Sequence, residues 1–291
     1  VIGTGAERQD ANPSNLIRVI PAEGSGAMAQ DTAFTSERAS LVGHNIVAGR
    51  VWTILEAIRA GGLKVHAITS PVAQTITANG LLALGVAPSL TVNAEELDYF
   101  ASTSQAMLLN LGMLDRDRFE VLPLAARAAN AAGLPLVIDP VFADRSARRR
   151  ALARELFASG ASIVKMNAIE ADAFARHIPA EAVSVVTGPV DRITQGRREA
   201  RLANGHALMG RVTGTGCMLG AVLAACLAVS PDPFESAIAG VSILNIAAEI
   251  AADGAAGPGT FAPRLLDAMH ALSADAIDAR LKLEMVRDAE R

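Results

Sequence analysis

From about residue 45 onward the chain alternates short apolar runs with longer stretches of helical period. The runs at 64–69, 106–111, 134–139, 162–166 and 183–187 are dominated by Val, Ile, Leu and Met and are bounded by turn residues, which predicts strands. Around them, apolar positions recur every three or four residues. That period predicts helices over 48–60, 73–84, 94–102, 119–131, 147–158, 168–175, 217–229, 234–252 and 263–272. Strands separated by helices can neighbour one another in parallel, with each helix as the crossover, so the pattern predicts an α/β fold on a mainly parallel sheet. Later in the chain, 199–203, Asn204-Gly205 and 206–212 read as a hairpin on a type I′ turn, which adds an antiparallel edge.

Residues 1 to about 40 lack this period and are rich in Gly, Ala, Ser, Asp and Asn, which predicts a mobile N-terminal arm ahead of a single domain over 41–291. Within the arm, Gly3-Thr4-Gly5 has the composition of a phosphate loop, but no strand precedes it. The first methionine is Met28, and one reading starts the native chain there. The charged stretch 273–291 reads as an exposed helix or a frayed tail.

Composition narrows the function classes. The 291 residues are 51% hydrophobic and 19% charged, enough to bury a large core and to exclude wholesale disorder. Aromatics make up 3%, so that core must be built of Ala, Leu, Val and Ile. The same scarcity, with a net charge of −4, argues against a nucleic-acid partner. The longest apolar run, 217–229, is too short to cross about 30 Å of hydrocarbon, and no secretory pattern opens the chain, so no membrane partner is expected. Cys217 and Cys226 sit in one apolar stretch and make no disulfide framework; they read as reduced thiols of a cytoplasmic protein.

In open α/β sheets, ligands bind beyond the carboxyl ends of the strands. That rule selects Thr69-Ser70, Asn110-Leu111-Gly112, Asp139-Pro140, Asn167 with Glu170, and Thr187-Gly188. Asp139 and Glu170 are candidate carboxylates for a cation such as Mg²⁺. The competing readings are a turn-forming Asp and a capping box in which Asn167 caps and Glu170 reaches back. The sharpest local signal is Val212-Thr213-Gly214-Thr215-Gly216-Cys217 ahead of an apolar helix. Glycines allow a tight turn, and a helix start offers unpaired N–H groups and a positive dipole end. Gly214, Thr215, Gly216 and Cys217 are therefore expected to cradle an anion such as a phosphoryl group, with the helix end lowering the Cys217 thiol pKa. The alternative is a Gly-rich turn beside a buried cysteine. His66, on an apolar strand, reads as a hydrogen-bonded core residue.

Taken in order, these motifs resemble those of a known family. From about residue 45 to about 270 the chain resembles the hydroxyethylthiazole kinases, a thiamine-salvage group with the ribokinase-like fold. The resemblance is carried by Val65-His66-Ala67-Ile68-Thr69-Ser70, by Gln74-Thr75-Ile76-Thr77-Ala78-Asn79-Gly80-Leu81-Leu82-Ala83-Leu84-Gly85 and by Leu109-Asn110-Leu111-Gly112. It continues in Val137-Ile138-Asp139-Pro140-Val141, Val186-Thr187-Gly188-Pro189-Val190-Asp191, the 212–217 loop and Gly257-Pro258-Gly259-Thr260-Phe261. It implies a three-layer α/β/α domain, ATP-dependent phosphorylation of the primary alcohol of hydroxyethylthiazole with Mg²⁺, and a homotrimer with active sites between subunits. By position, Asp139 and Glu170 resemble the magnesium-associated carboxylates. Lys165, Asn167 and Thr187 fall on the nucleotide side, and Ser70, Leu90 and Gly214 on the substrate side. Cys217 stands where relatives often carry an aspartate base. Phosphoryl transfer asks mainly for positioning and charge neutralisation, so Cys217 is expected to position the alcohol first and take its proton second. A kinase for another hydroxymethyl or hydroxyethyl heterocycle, or a non-catalytic ligand-binding paralogue, are the alternatives.

The chain departs from the family pattern at several places. Ser70 replaces an Asn, Leu90 a Met, Phe142-Ala143-Asp144 a Gly-Ala-Gly, and Lys165-Met166-Asn167 an Arg-Gly-Asn. Arg145, Arg148, Arg149 and Arg150 follow, reading either as a solvated helix face or as phosphate contacts, with Arg149 nearest to a family arginine. The segment between Glu170 and Thr187 is short, which predicts a sheet face left thinly covered or covered by another subunit.

Overall fold

The computed structural model describes the backbone of residues 31–286 and the side chains of residues 45–286. Its first half runs α1 (Asp31–Ala60), β1 (Lys64–Ile68), α2 (Gln74–Ala83), β2 (Ala87–Ser89), α3 (Leu97–Thr103), β3 (Ala106–Asn110), α4 (Arg116–Ala131), β4 (Leu136–Asp139) and α5 (Ala147–Ala158). The second half runs β5 (Ile163–Asn167), α6 (Ala168–Phe174), β6 (Val183–Thr187), β7 (Asp191–Gln195), β8 (Arg198–Leu202), α7 (Thr215–Leu227), α8 (Pro233–Ala252), α9 (Pro258–Ala271), α10 (Ala274–Arg280) and β9 (Leu283–Val286).

The strands form one sheet in the order β2-β1-β3-β4-β5-β6-β7-β8-β9. Pairing is parallel from β2 to β6 and antiparallel from β6 to β9. The period of two along each strand divides the core. In β3, Leu108 points into one layer while Met107 and Leu109 point into the other. The first layer holds α1, α2, α7, α8, α9 and α10; the second holds α3, α4, α5 and α6. The expected three-layer α/β/α architecture is therefore present. The apolar helix α8 lies among α1, α7 and α9. By length and composition it could span a bilayer, with a mean hydropathy of 1.4, but 83% of that window is buried inside the fold.

Several expectations need correction. The antiparallel hairpin is β7 and β8, joined at Gly196-Arg197 with Gln195 opposite Arg198. Gly196 adopts a φ of 55°, as a two-residue turn of this kind demands. The strand β7 escaped the hydrophobic pattern because Asp191, Arg192, Thr194 and Gln195 leave Ile193 as its one apolar side chain. Asn204-Gly205 makes no hairpin, and 206–212 is not a strand: Ala207–Arg211 is a short 3₁₀ helix. Asn204 is instead a buried polar hub. Its Nδ2 donates to Arg280 O (2.6 Å) and Glu249 Oε1 (3.2 Å), and its Oδ1 accepts from Lys282 N (2.7 Å). The tail is not frayed up to Val286, because β9 closes the sheet against β8. Helix α1 begins at Asp31, not 48, so the backbone of 31–40 is helical. The remainder of the expected arm, with Gly3-Thr4-Gly5 and Met28, lies outside the described residues, as do the last five positions. Beyond α6, residues 175–182 contain no helix. Accordingly, β6, β7 and β8 contribute nothing to the second apolar layer. Their outward side chains, such as Arg192, Thr194 and Arg201, are exposed or half-buried, so this face is open within the subunit.

His66 on β1 is fully buried, as expected of a core histidine. Its Nδ1 lies 2.7 Å from the Ser89 hydroxyl, and its ring stacks on Phe100 at 5.1 Å. Its Nε2 has no partner. Burial pushes the imidazole pKa from 6.5 down to about 4, against a small upward pull from Glu96. The unfolded chain therefore takes up a proton below pH 6.5 that the folded chain refuses. Stability contributed by the neutral ring is complete above pH 6.5 and is lost as pH falls from 6.5 to about 4, by on the order of 3 kcal/mol. Urea unfolding of wild type and His66→Gln, compared from about pH 7.5 down to about pH 4.5, should show a shallower acid loss in the variant.

Candidate active site

The carboxyl ends of β3, β4 and β5 meet the first turn of α7 at one cleft of about 190 Å³. It is lined by Asp139, Val141, Phe142, Lys165, Asn167, Glu170, Gly214, Gly216 and Cys217. Parallel pairing puts Asn110 and Asp139 side by side at the ends of β3 and β4. Asp139 Oδ2 accepts from Asn110 Nδ2 (2.8 Å) and from Lys165 Nζ (2.9 Å). Asp139 Oδ1 is buried with no hydrogen-bond partner. Lys165 also donates to Gly216 O at 3.2 Å, tying β5 to the start of α7.

This pair is buried, at 8% and 0% side-chain exposure. Burial works against the ammonium charge, but the adjacent carboxylate outweighs it and holds the Lys165 pKa above its ordinary value. Burial likewise pushes Asp139 up while Lys165 and Asn110 pull it back. Two donors converging on one oxygen favour the charged form of each partner.

The α7 loop is shaped by Gly214, which has a φ of 91°. A Cβ there would stand 2.7 Å from Ile76 Cγ2 and 3.0 Å from Ala73 Cβ, so the position admits only glycine. Thr215 Oγ1 donates to Met209 O (2.9 Å) and Val212 O (3.3 Å), so its hydroxyl pins the loop instead of facing the cleft. The first amides of α7 have no acceptor within the helix, and its positive end points into the cleft beside Lys165.

Glu170 realises the capping box: its Oε2 accepts from Asn167 N (3.0 Å), while Asn167 Oδ1 accepts from Glu170 N (3.0 Å). Its Oε1 accepts from Phe142 N at 2.9 Å, a contact with no signal in the sequence. Burial raises the Glu170 pKa, against the two amide bonds that lower it. Thr187 lies one strand across, in register with Asn167, and donates to Met166 O at 3.2 Å. Ser70 and Leu90 are not in the lining of this cleft: Ser70 sits at the carboxyl end of β1 against Gly112 and beside Asn110, and Leu90 follows the edge strand β2. The Ser70 hydroxyl is buried without a partner, and the Thr69 hydroxyl is buried within reach of the Cys217 sulfur.

The arginine run divides: Arg145 and Arg148 are exposed, as a solvated face requires, whereas Arg149 and Arg150 are half-buried and bound to backbone carbonyls. Arg149 Nη1 donates to Leu111 O (2.9 Å) and Val141 O (3.0 Å), bracing the cleft floor. Arg148 packs 4.2 Å from the Phe119 ring, Arg150 donates to Asp144 O, and Arg145 pairs with Asp144 at 3.4 Å.

The Cys217 thiol reverses its expectation. Its pKa is raised, first by burial and then by the Asp139 charge. Lys165, Asn110 and Thr69 pull it down less. The Asp139 carboxylate in the same cleft opposes the pull of the helix dipole on the thiol. Asn110, one of the strand-end residues, closes β3 opposite Asp139, as the strand-end rule implies. Phe142, marked in the sequence only as a departure from the family pattern, lines the cleft itself.

A model of the hydroxyethylthiazole kinase family matches residues 55–182 and 171–275. A probable hydroxyethylthiazole kinase of Agrobacterium fabrum is 39% identical over 237 residues, spanning 81% of this chain and 96% of that protein. The solved hydroxyethylthiazole kinase of Pyrococcus horikoshii is similar with a TM-score of 0.76 at 32% identity, over 81% of this chain and 99% of that one. A ribokinase-like superfamily protein of Enterococcus faecalis shares the fold at 13% identity and a TM-score of 0.51, over 72% of this chain and 86% of that one.

Two measurements test the local chemistry. Lys165→Met strands the Asp139 carboxylate, and equilibrium unfolding at neutral pH should lose about 3–5 kcal/mol, most of it restored by adding Asp139→Asn. Because the Cys217 thiolate is scarce at neutral pH, alkylation by iodoacetamide should be slower than for a free thiol and should accelerate only in the alkaline range. Fast labelling at neutral pH would mean that the helix end dominates.

Proposed function

The chain belongs to the hydroxyethylthiazole kinase family, and we propose on that premise that it transfers the γ-phosphoryl group of ATP to the primary alcohol of hydroxyethylthiazole, in thiamine salvage. The observation that carries the reading is the meeting of Asp139, Glu170, Lys165 and the first turn of α7 in a single cleft. Phosphoryl transfer needs positioned donors and charge neutralisation more than covalent chemistry, and this cleft offers both.

In this reading the amides of Gly216 and Cys217 receive the γ-phosphoryl oxygens, and the Lys165 ammonium balances their charge. Lys165 gives a point charge where relatives place the planar fork of an arginine. Two carboxylates against one ammonium leave the cleft negative before any nucleotide arrives, and the buried Asp139 Oδ1 lacks a partner. That donor set fits Mg²⁺, which is commonly held by one or two carboxylates together with phosphates and water. Among the described residues, no cluster of three or more His, Cys, Asp or Glu side chains forms a complete cage. Asp139 and Glu170 would hold the ion, and when bound it supplies further neutralisation of phosphate charge. Thr187 and Asn167, on adjoining strands, extend the nucleotide side.

The alcohol enters from the β1 side, where the unpartnered Ser70 hydroxyl and the Thr69 hydroxyl beside Cys217 offer polar contacts to the heterocycle. Cys217, protonated at neutral pH, orients the alcohol by hydrogen bonding and is a poor base. Leu90 follows the edge strand β2, and Val72 and Leu82 on the same side of the sheet are exposed, at 58% and 57%. A second copy covering that edge would complete the substrate side, which supports a homotrimer with shared sites. The two free cysteines suit a cytoplasmic protein.

Purified protein with ATP and Mg²⁺ should release ADP only slowly until hydroxyethylthiazole is added, and then rapidly, with one phosphate ester formed per additional ADP. Binding of both substrates without ester would refute the reading. Cys217→Ala should lower kcat by on the order of 10- to 100-fold with little change in KM for ATP.

A further inference from the structure

Phe142 occupies a conformation that a bulky side chain rarely adopts. Its φ and ψ are 56° and 21°, in the left-handed region where an L residue crowds its own backbone. The surrounding turn holds it there. Phe142 N donates to Glu170 Oε1 at 2.9 Å, Ala143 N donates to Pro140 O at 2.7 Å, and Arg145 N donates to Phe142 O at 3.1 Å. None of these bonds uses the ring, so a glycine would make them all at less conformational cost. Nor does the ring serve the core: the residue is 52% exposed. The rest of its surface lines the cleft with Asp139, Lys165, Glu170 and Cys217. On its outer side the Arg145 guanidinium lies 5.2 Å from the ring centroid. A strained aromatic that stabilises nothing behind it, at the mouth of a charged cleft, marks a functional constraint.

We propose that the Phe142 ring is a water shield that makes the phosphoryl-transfer centre selective for the alcohol over solvent. The inference rests on the phosphotransfer reading of the cleft. Two nucleophiles compete for the γ-phosphorus. Attack by the alcohol oxygen forms a P–O bond to substrate, breaks the bond to the β-phosphate oxygen, and releases ADP and the alcohol proton. Attack by water breaks the same bond and gives ADP, inorganic phosphate and a proton. Water is present at far higher concentration, so selectivity requires its exclusion while ATP is bound. An apolar ring in the lining of the cleft, with the Arg145 guanidinium 5.2 Å from its centroid, takes up space that water would otherwise occupy beside the carboxylates and the α7 turn.

The test compares wild type with Phe142→Gly and Phe142→Leu. Inorganic phosphate release from ATP and Mg²⁺ is measured without any alcohol, and thermal unfolding is followed in parallel. Phe142→Gly should release phosphate on the order of tenfold faster than wild type, with a Tm equal to or above it. Phe142→Leu, which keeps apolar bulk, should stay near the wild-type rate. Unchanged phosphate release in Phe142→Gly overturns the shield, whatever alcohol the enzyme proves to use. Equal increases in both variants also overturn it, because bulk would then be irrelevant. A wild type that hydrolyses ATP slowly yet forms no ester from hydroxyethylthiazole refutes the substrate assignment, and the phosphate comparison then still decides the role of Phe142.

Discussion

The geometry of the cleft depends on one ammonium group. Lys165 Nζ lies 2.9 Å from a carboxylate at the end of β4 and 3.2 Å from a carbonyl in the first turn of α7. It thereby joins three elements that come from distant parts of the chain. In an interior of low dielectric such a contact is strong, and its partners are costly to separate. Any shift of α7 along the sheet would take Gly216 O away from the Lys165 ammonium that lines the cleft. The helix whose first turn lines the cleft is therefore positioned by the same charge that neutralises Asp139. Structure and electrostatics are here one constraint, and the Gly214 bend, which tolerates no side chain, is the hinge on which it turns.

Much of this was legible because it follows from local pattern. The parallel strands announced themselves as Val- and Leu-rich runs, since a strand buried on both faces must be apolar throughout. Gly214-Thr215-Gly216 ahead of an apolar helix announced a helix start, and Asp139 fell at a strand end by simple counting. What was hidden depended on long-range partners. Strand β7 is polar because one of its faces lacks a helix layer, so alternation was weak. Asn204-Gly205 has the composition of a tight turn, yet Asn204 is engaged by Glu249, Arg280 and Lys282, far along the chain. The left-handed backbone at Phe142 is imposed by Glu170, which no dipeptide preference could indicate.

Cys217 shows how two general rules compete. A helix start favours a thiolate, and burial beside a carboxylate opposes it. The second wins because Asp139 and desolvation act together on the sulfur, whereas Lys165 is already committed to Asp139. The consequence is a neutral hydrogen-bonding group at the point where an alcohol would approach. Such a group can orient a hydroxyl without adding negative charge next to incoming phosphates.

The strand β9 has a consequence for how the molecule is made. It lies at the rim of the sheet against β8, and Lys282 just before it engages Asn204 and Glu249. Yet it comes from the last part of the described chain, which leaves the ribosome after every other strand. Until then β8 presents a bare row of amides and carbonyls, the arrangement most prone to pairing with a neighbouring chain. Arg198, Glu199 and Arg201 along that row keep it charged during the interval before the final strand arrives.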